Sequence, residues 1–200
     1  APLQVRLATN ADSLATWLAP ALVSTEFAST EFVSTAPSRE PSPPLVFDLV
    51  VVDQSIGLQR MKSGDVMACI CDSAHAVPAG KIEPLGAMRY RLVASPRLLM
   101  HYNYQGVQQL ARLPWLVYDR DDHLQHQFLQ RVAGCSPQWV HLCPSSEGFR
   151  QAILAGLGVG LLPDLQIGSA IATGALVDLT PGEYLDTPLY WHYWHTEKIG

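Results

Sequence analysis

The stretch that decides the fold opens WLVYDRDDHLQHQFLQRVAG (Trp115–Gly134) and, after four residues, continues WVHLCPSSEGFRQAILAGLGVGLL (Trp139–Leu162). Twice a short apolar run leads through a polar turn into apolar positions at helical spacing. Trp115–Tyr118 reads as a strand, Asp119–Asp122 as an acidic turn, and His123–Ala133 as a helix stopped by Gly134. Trp139–Leu142 is the next strand, Ser145 and Ser146 open a helix reaching Ala155, and Val159–Leu162 is a further short strand. Strands alternating with helices imply βαβ units and parallel sheets.

The same alternation extends outward in both directions. Gln4–Ala8 is a strand, and Asn10 or Asp12 caps a helix carrying Trp17, Leu18, Ala21 and Leu22. Leu45–Val52 is a β-branched run of strand length. Gln54–Ser63 is helical and ends at Gly64, the residue expected just past a helix. Val66–Cys71 and Gly86–Ser95 are strands, the second broken by Pro96, and Val107–Arg112 is helical. Asp164–Ala172 is a helix, and Leu176–Leu179 and Pro188–Trp194 are strands. About ten strands exceed what one small sheet holds, so two α/β subdomains of roughly 90 residues each are expected. One stretch stands apart. Ser24–Pro44 (STEFASTEFVSTAPSREPSPP) repeats STEF and carries four prolines, and reads as an exposed connection.

Composition narrows the function. The 200 residues hold 13 Lys+Arg against 18 Asp+Glu, a formal net charge of −5. A free-standing nucleic-acid or anionic-membrane binder needs a cationic face, so those classes are disfavoured. Hydrophobic residues make up 48% and charged residues only 16%, which fits strands buried on both faces. No run approaches the ~18–20 apolar residues of a membrane span, and Ala1–Asn10 lacks the layout of a signal peptide. A start at Ala1 and a stop straight after a strand-like segment give the look of a piece of a longer chain. Cys69, Cys71, Cys135 and Cys143 show neither CxxC nor metal-ligand spacing; reduced thiols in a cytoplasmic protein are expected.

Several constellations reduce to structure. Gly156-Leu-Gly158-Val-Gly160 has a helix before it and a strand after it, the reverse of a phosphate loop, and reads as a helix C-cap with a tight turn. His123-x-x-His126 and His192-x-x-His195 have metal-like spacing without a third ligand; the second pair, on a strand, faces opposite ways. No GxSxG elbow supports a serine hydrolase. No metal, cofactor or catalysis is expected. What remains is a set of polar turns after strands: Asn10–Ser13, Asp72-Ser73, Asp119–Asp122 and Ser145–Glu147. In parallel sheets such loops converge on the ligand crevice. Helix starts suit a carboxylate and the surplus acid suits a cation, together a basic amino acid, although each turn alone also reads as an ordinary cap.

ATNADSLATWLAPAL (Ala8–Leu22), RMKSGDVMACI (Arg60–Ile70), PLGAMRYRLVASP (Pro84–Pro96), VYDRDDHLQHQFL (Val117–Leu129) and PSSEGFRQAILAGLGVGLLPDLQI (Pro144–Ile167) resemble the effector-binding domain of LysR-type transcriptional regulators. GALVDLTPG followed by LYWHYW adds to the likeness, which is nearest to the family's ArgP/IciA (LysG) branch, governors of basic amino-acid export.

That resemblance, running from about Leu3 to Trp194, implies two Rossmann-like subdomains joined by a two-strand hinge, like a type 2 periplasmic binding protein. It implies one lobe at 3–92 plus 189–200 and another at 93–188, with Val93, Ala94, Ser95 and Pro188 in the hinge strands. An effector, arginine or lysine, would lie between the lobes, its α-carboxylate at Asn10, Ala11, Asp12 and Ser13 with Ser145 and Ser146 opposite. Its cationic end would meet Asp119 or Asp122, or the Asp72-Ser73 turn. The family works as dimers and tetramers and reads DNA through an N-terminal winged helix-turn-helix that this chain does not contain. Two departures are the lengthened Ser24–Pro44 connection and the lack of the family's final helix after Gly200. The rivals are a solute-binding protein for amino-acid transport, which would need an export signal, and an enzyme on the same scaffold. A structure showing Ser145 bonded to a histidine would favour the enzyme.

Overall fold

Leu3–Thr9 forms β1, flanked in parallel by β2 (Leu45–Val51) and β3 (Ala68–Cys71), with Leu3 opposite Leu45 and Leu7 opposite Ala68. The central position explains the run's apolarity: Leu7, Ala8 and Thr9 are all buried. This is a computed structural model, and it describes residues 1–24 and 44–194. Most of the Ser24–Pro44 connection and His195 therefore lie outside the described residues.

The chain divides into two compact units, Ala1–Ala87 with Pro188–Gly200, and Met88–Thr187. The crossings fall within two long strands, β4 (Gly80–Ala94) and β9 (Leu185–Trp194). The sequence division at 92/93 and 188/189 is thus shifted. Val93 and Ala94 are fully buried in the second unit and Ser95 caps its first helix, so of the four hinge candidates only Pro188 lies at a crossing.

In the first unit the strand order is β2-β1-β3-β9-β4. Helix α3 (Gln54–Lys62) packs on β1 and β3. Its Gly57 comes so near β3 that a Cβ there would stand 2.6 Å from Cys69 Sγ. Met61, Val66, Cys69, Cys71 and Val77 form the core beneath it. The expected single helix after β1 is two short ones, α1 (Ala11–Thr16) and α2 (Leu18–Val23). Pro20 is the cause: it has no N–H to offer the Thr16 carbonyl and its ring crowds that oxygen.

In the second unit β4 pairs antiparallel with β7 (Gly160–Pro163) and with β8 (Val177–Asp178). β5 (Pro114–Val117) pairs in parallel with β6 (Trp139–Leu142) and is tied to the start of β7 by Leu116 N–H donating to Val159 O at 2.8 Å. Helices α4 (Pro96–His101), α5 (Leu124–Ala133) and α6 (Ser146–Ala155) connect these strands, with a 3₁₀ turn at Val107–Arg112. The core gathers Val93, Leu116, Phe149, Ile153, Leu162 and Leu176.

Three expectations are corrected. The seven-stranded sheet is mixed rather than parallel, because β9 runs antiparallel to β3 and β4 antiparallel to β7, while the β5–β6 pair is parallel. Pro96 opens α4 rather than merely ending a strand; Ser95 Oγ accepts from Leu98 N–H at 3.2 Å, and proline at the first position has no N–H to leave unpaired. The helix expected over Asp164–Ala172 is split into α7 (Asp164–Ile167) and α8 (Ala170–Thr173) at Gly168, whose φ is 52°.

Candidate functional site

In the first unit β1 delivers the chain to Asn10, whose backbone is extended and whose Oδ1 accepts from Ser13 N–H at 3.2 Å. Asn10, not Asp12, is therefore the cap. Ala11 and Asp12 are half-buried in the first turn and Ser13 is fully buried. The preceding Thr9 is also buried and donates its hydroxyl to Asn10 O at 3.1 Å. One tight turn thus carries all four predicted residues.

At the end of β3 the chain turns through Asp72 and Ser73. Ser73 Oγ accepts from His75 N–H at 3.3 Å, and Ser73 O is bonded by His192 Nε2 at 2.7 Å. Partial burial raises the Asp72 carboxyl above its ordinary value, and the nearby Cys71 adds to this. Cys69 and Cys71 lie on one face of β3, both buried and free. Their mutual hydrogen bond pushes Cys69 up and pulls Cys71 down, and His192 lowers Cys71 further. Burial works against a charged His192, but the hydrogen bond and charge of Cys71 and the Ser73 carbonyl outweigh it, raising the imidazole.

In the second unit the acidic turn after β5 does two different jobs. Asp122 Oδ2 accepts from Tyr118 N–H at 2.9 Å and from Gln125 Nε2 at 3.4 Å, while its Oδ1 accepts from Leu124 N–H at 3.0 Å. Both oxygens of Asp122 are thus spent on starting α5. The Asp119 carboxylate accepts from Asp121 N–H, through Oδ1 at 2.9 Å. Buried Gln125 continues the chain of contacts, accepting from Leu161 N–H at 2.8 Å on β7.

Ser145 caps α6, its Oγ accepting from Gly148 N–H at 3.0 Å; among the described residues no histidine bonds it. Ser146 is buried and its Oγ accepts from Gln166 Nε2 at 3.0 Å. Glu147 and Arg150 satisfy each other through a forked pair, Nη2 to Oε1 at 2.8 Å, which holds the Glu147 carboxyl below its ordinary value. The three glycines after α6 are structural. Gly156 has φ of 88° at the helix end, a Cβ on Gly158 would stand 2.9 Å from Pro114 O, and one on Gly160 would meet the Phe149 ring at 2.9 Å. His123 sits exposed just before α5 and His126 is half-buried on it.

Each unit therefore carries strand-end turns rich in hydroxyls and carboxylates, an arrangement suited to a small polar ligand. His192 and Gln125 were not singled out as site residues from sequence. Both act on backbone groups remote in the chain, and no local spacing announces that.

This is an α/β ligand-binding fold of two units. The chain belongs to the LysR substrate binding domain family, whose model matches residues 36–199. It is 44% identical over 195 residues to the HTH-type transcriptional regulator ArgP of Pseudomonas fluorescens, covering 96% of this chain and 60% of that protein. The chain thus spans about three-fifths of that curated relative. Among solved structures it resembles the C-terminal domains of a LysR family protein from Agrobacterium tumefaciens, with a TM-score of 0.82 and 32% identity over 96% of this chain and 87% of that one. It also resembles full-length LysG of Corynebacterium glutamicum with bound effector Arg, with a TM-score of 0.80 and 32% identity over 98% of this chain and 63% of that one. Among the described residues no helix is long and apolar enough to cross a membrane.

Proposed function

We propose that this chain is the effector-sensing part of a LysR-type transcriptional regulator and that its effector is a basic amino acid, arginine or lysine. The observation carrying the reading is the likeness, over 98% of the chain, to a regulator whose structure holds arginine. The turns described above supply the chemistry. In the first unit the helix start at Asn10, Ala11, Asp12 and Ser13 suits the effector's α-carboxylate and the Asp72-Ser73 turn its cationic end; in the second unit Ser145 and Ser146 suit the carboxylate and Asp119 the cation. Asp122, whose two oxygens already hold backbone and side-chain donors, is the weaker candidate for that end. Binding acts by favouring one conformation through differential affinity. In the whole protein this controls DNA binding through an N-terminal helix-turn-helix, in a dimer or tetramer in the cytoplasm, at genes for amino-acid export.

The relatives are regulators rather than enzymes. Calorimetric titration with L-arginine and L-lysine, with L-glutamate as control, tests the proposal. Heat and a thermal upshift with a basic amino acid alone are expected. Neither signal with arginine or lysine would overturn it.

A further inference from the structure

Outside the strand-end turns, a polar cluster is buried in the first unit. His192, in the middle of β9, is fully buried and stands opposite Cys69 in the antiparallel register with β3. Its Nε2 lies 2.7 Å from the carbonyl oxygen of Ser73, a residue 119 positions away. A carbonyl has no proton to give, so Nε2 carries the hydrogen and donates it. The other ring nitrogen, Nδ1, is buried without a hydrogen-bond partner, and the Cys71 thiol lies near enough to the ring to act on its charge. The imidazole thus faces β3 and holds the loop that follows it. That loop is Asp72-Ser73. A polar ring inside a core is costly unless its bonds are made, and here the bond goes to the backbone of a candidate effector-contacting turn rather than to a neighbouring strand.

We infer that His192 is a positioning residue for effector binding: by donating to the Ser73 carbonyl it sets where the Asp72-Ser73 turn presents its carboxylate and hydroxyl. The inference rests on the reading that this turn contacts the effector. His192 need not touch the ligand. Its substitution alters affinity through the loop, and a side chain that restores a donor near Nε2 restores affinity.

The experiment uses His192→Leu, which fills the space without a donor, and His192→Gln, whose amide reaches toward the Nε2 position. L-arginine affinity is measured by calorimetry. Hydrogen exchange of the 72–76 loop is measured without ligand, with β1 amides as the internal check on folding. In H192L the loop exchanges faster while β1 is unchanged, and arginine binds about tenfold or more weakly. In H192Q both values return to within about threefold of the parent. Wild-type loop exchange in H192L, or wild-type arginine affinity despite a loosened loop, overturns the inference. So does a nitrogen-15 spectrum of the parent protein in which His192 carries its proton on Nδ1 alone, a readout that does not depend on H192L folding. Should the parent bind neither arginine nor lysine, the functional reading falls by itself, and loop exchange and ring protonation still decide whether His192 holds the turn.

Discussion

Replacing Asp122 with alanine separates a helix cap from a ligand contact in the acidic turn. The carboxylate accepts from two backbone N–H groups, Tyr118 at 2.9 Å and Leu124 at 3.0 Å, and more loosely from Gln125 Nε2 at 3.4 Å. Loss of a capping side chain costs about 1 kcal/mol. The second backbone donor and the loosened Gln125, which also supports Leu161 N–H on β7, add about 1–2 kcal/mol because partly buried donors are left short of partners. The total is about 2–3 kcal/mol, or a fall of roughly 5–10 °C in Tm for a chain of this size. Asp119→Ala removes one bond, to Asp121 N–H, and should cost no more than about 1 kcal/mol. Thermal melts followed by circular dichroism at neutral pH, with arginine calorimetry on the same samples, read both effects. The expected pattern is an unstable D122A and a stable D119A with weakened arginine binding. A D122A protein that melts with the parent but no longer binds arginine would show that the carboxylate serves the ligand and that its local bonds are incidental.

The remaining predictions follow from packing and charge. Gly158→Ala places a methyl 2.9 Å from Pro114 O and 3.3 Å from Leu116 Cγ, and overpacking there should cost about 1–3 kcal/mol in denaturant unfolding. Gly134→Ala meets nothing within 4 Å but forces alanine to φ of 65°, so it should cost about 1–2 kcal/mol; a variant as stable as the parent would refute the left-handed helix end. Under native conditions Cys135 and Cys143, half-buried, should react with a thiol reagent well before buried Cys69 and Cys71; four equally fast thiols would contradict the packing of β3. Arg150 lowers the Glu147 carboxyl, so stability from that pair is present above the ordinary glutamate value and is lost as pH falls through the depressed one. Carboxyl-detected NMR should find Glu147 still ionised where unpaired glutamates are half protonated, and Arg150→Gln should abolish the difference.

How much of this was legible in the sequence depends on how far apart the deciding atoms lie in the chain. Asn10 and Ser145 could be read as caps because the donors they satisfy, Ser13 N–H and Gly148 N–H, are three residues on. Gly134 and Gly156 were equally local, each ending a helix in the left-handed region. The strand–helix alternation survived for the same reason, being a matter of period rather than partner. Partner choice was not local: nothing in LYWHYW says that Ala68 will face Tyr193 antiparallel, so parallel sheets were expected where mixed ones occur. Pro20 and the Ser95-Pro96 pair are local signals whose meaning is ambiguous, since a missing N–H breaks one helix and opens another depending on where the helix begins. The site divides along the same line. That Asp119–Asp122 forms a turn is visible, but which carboxylate folds back on Tyr118 N–H and which holds only Asp121 N–H is set by the turn's path in space. His192 is the extreme case. Its partner is separated from it by most of the chain, and only after β9 closes beside β3 does an apolar strand's lone histidine become the group that fixes Ser73.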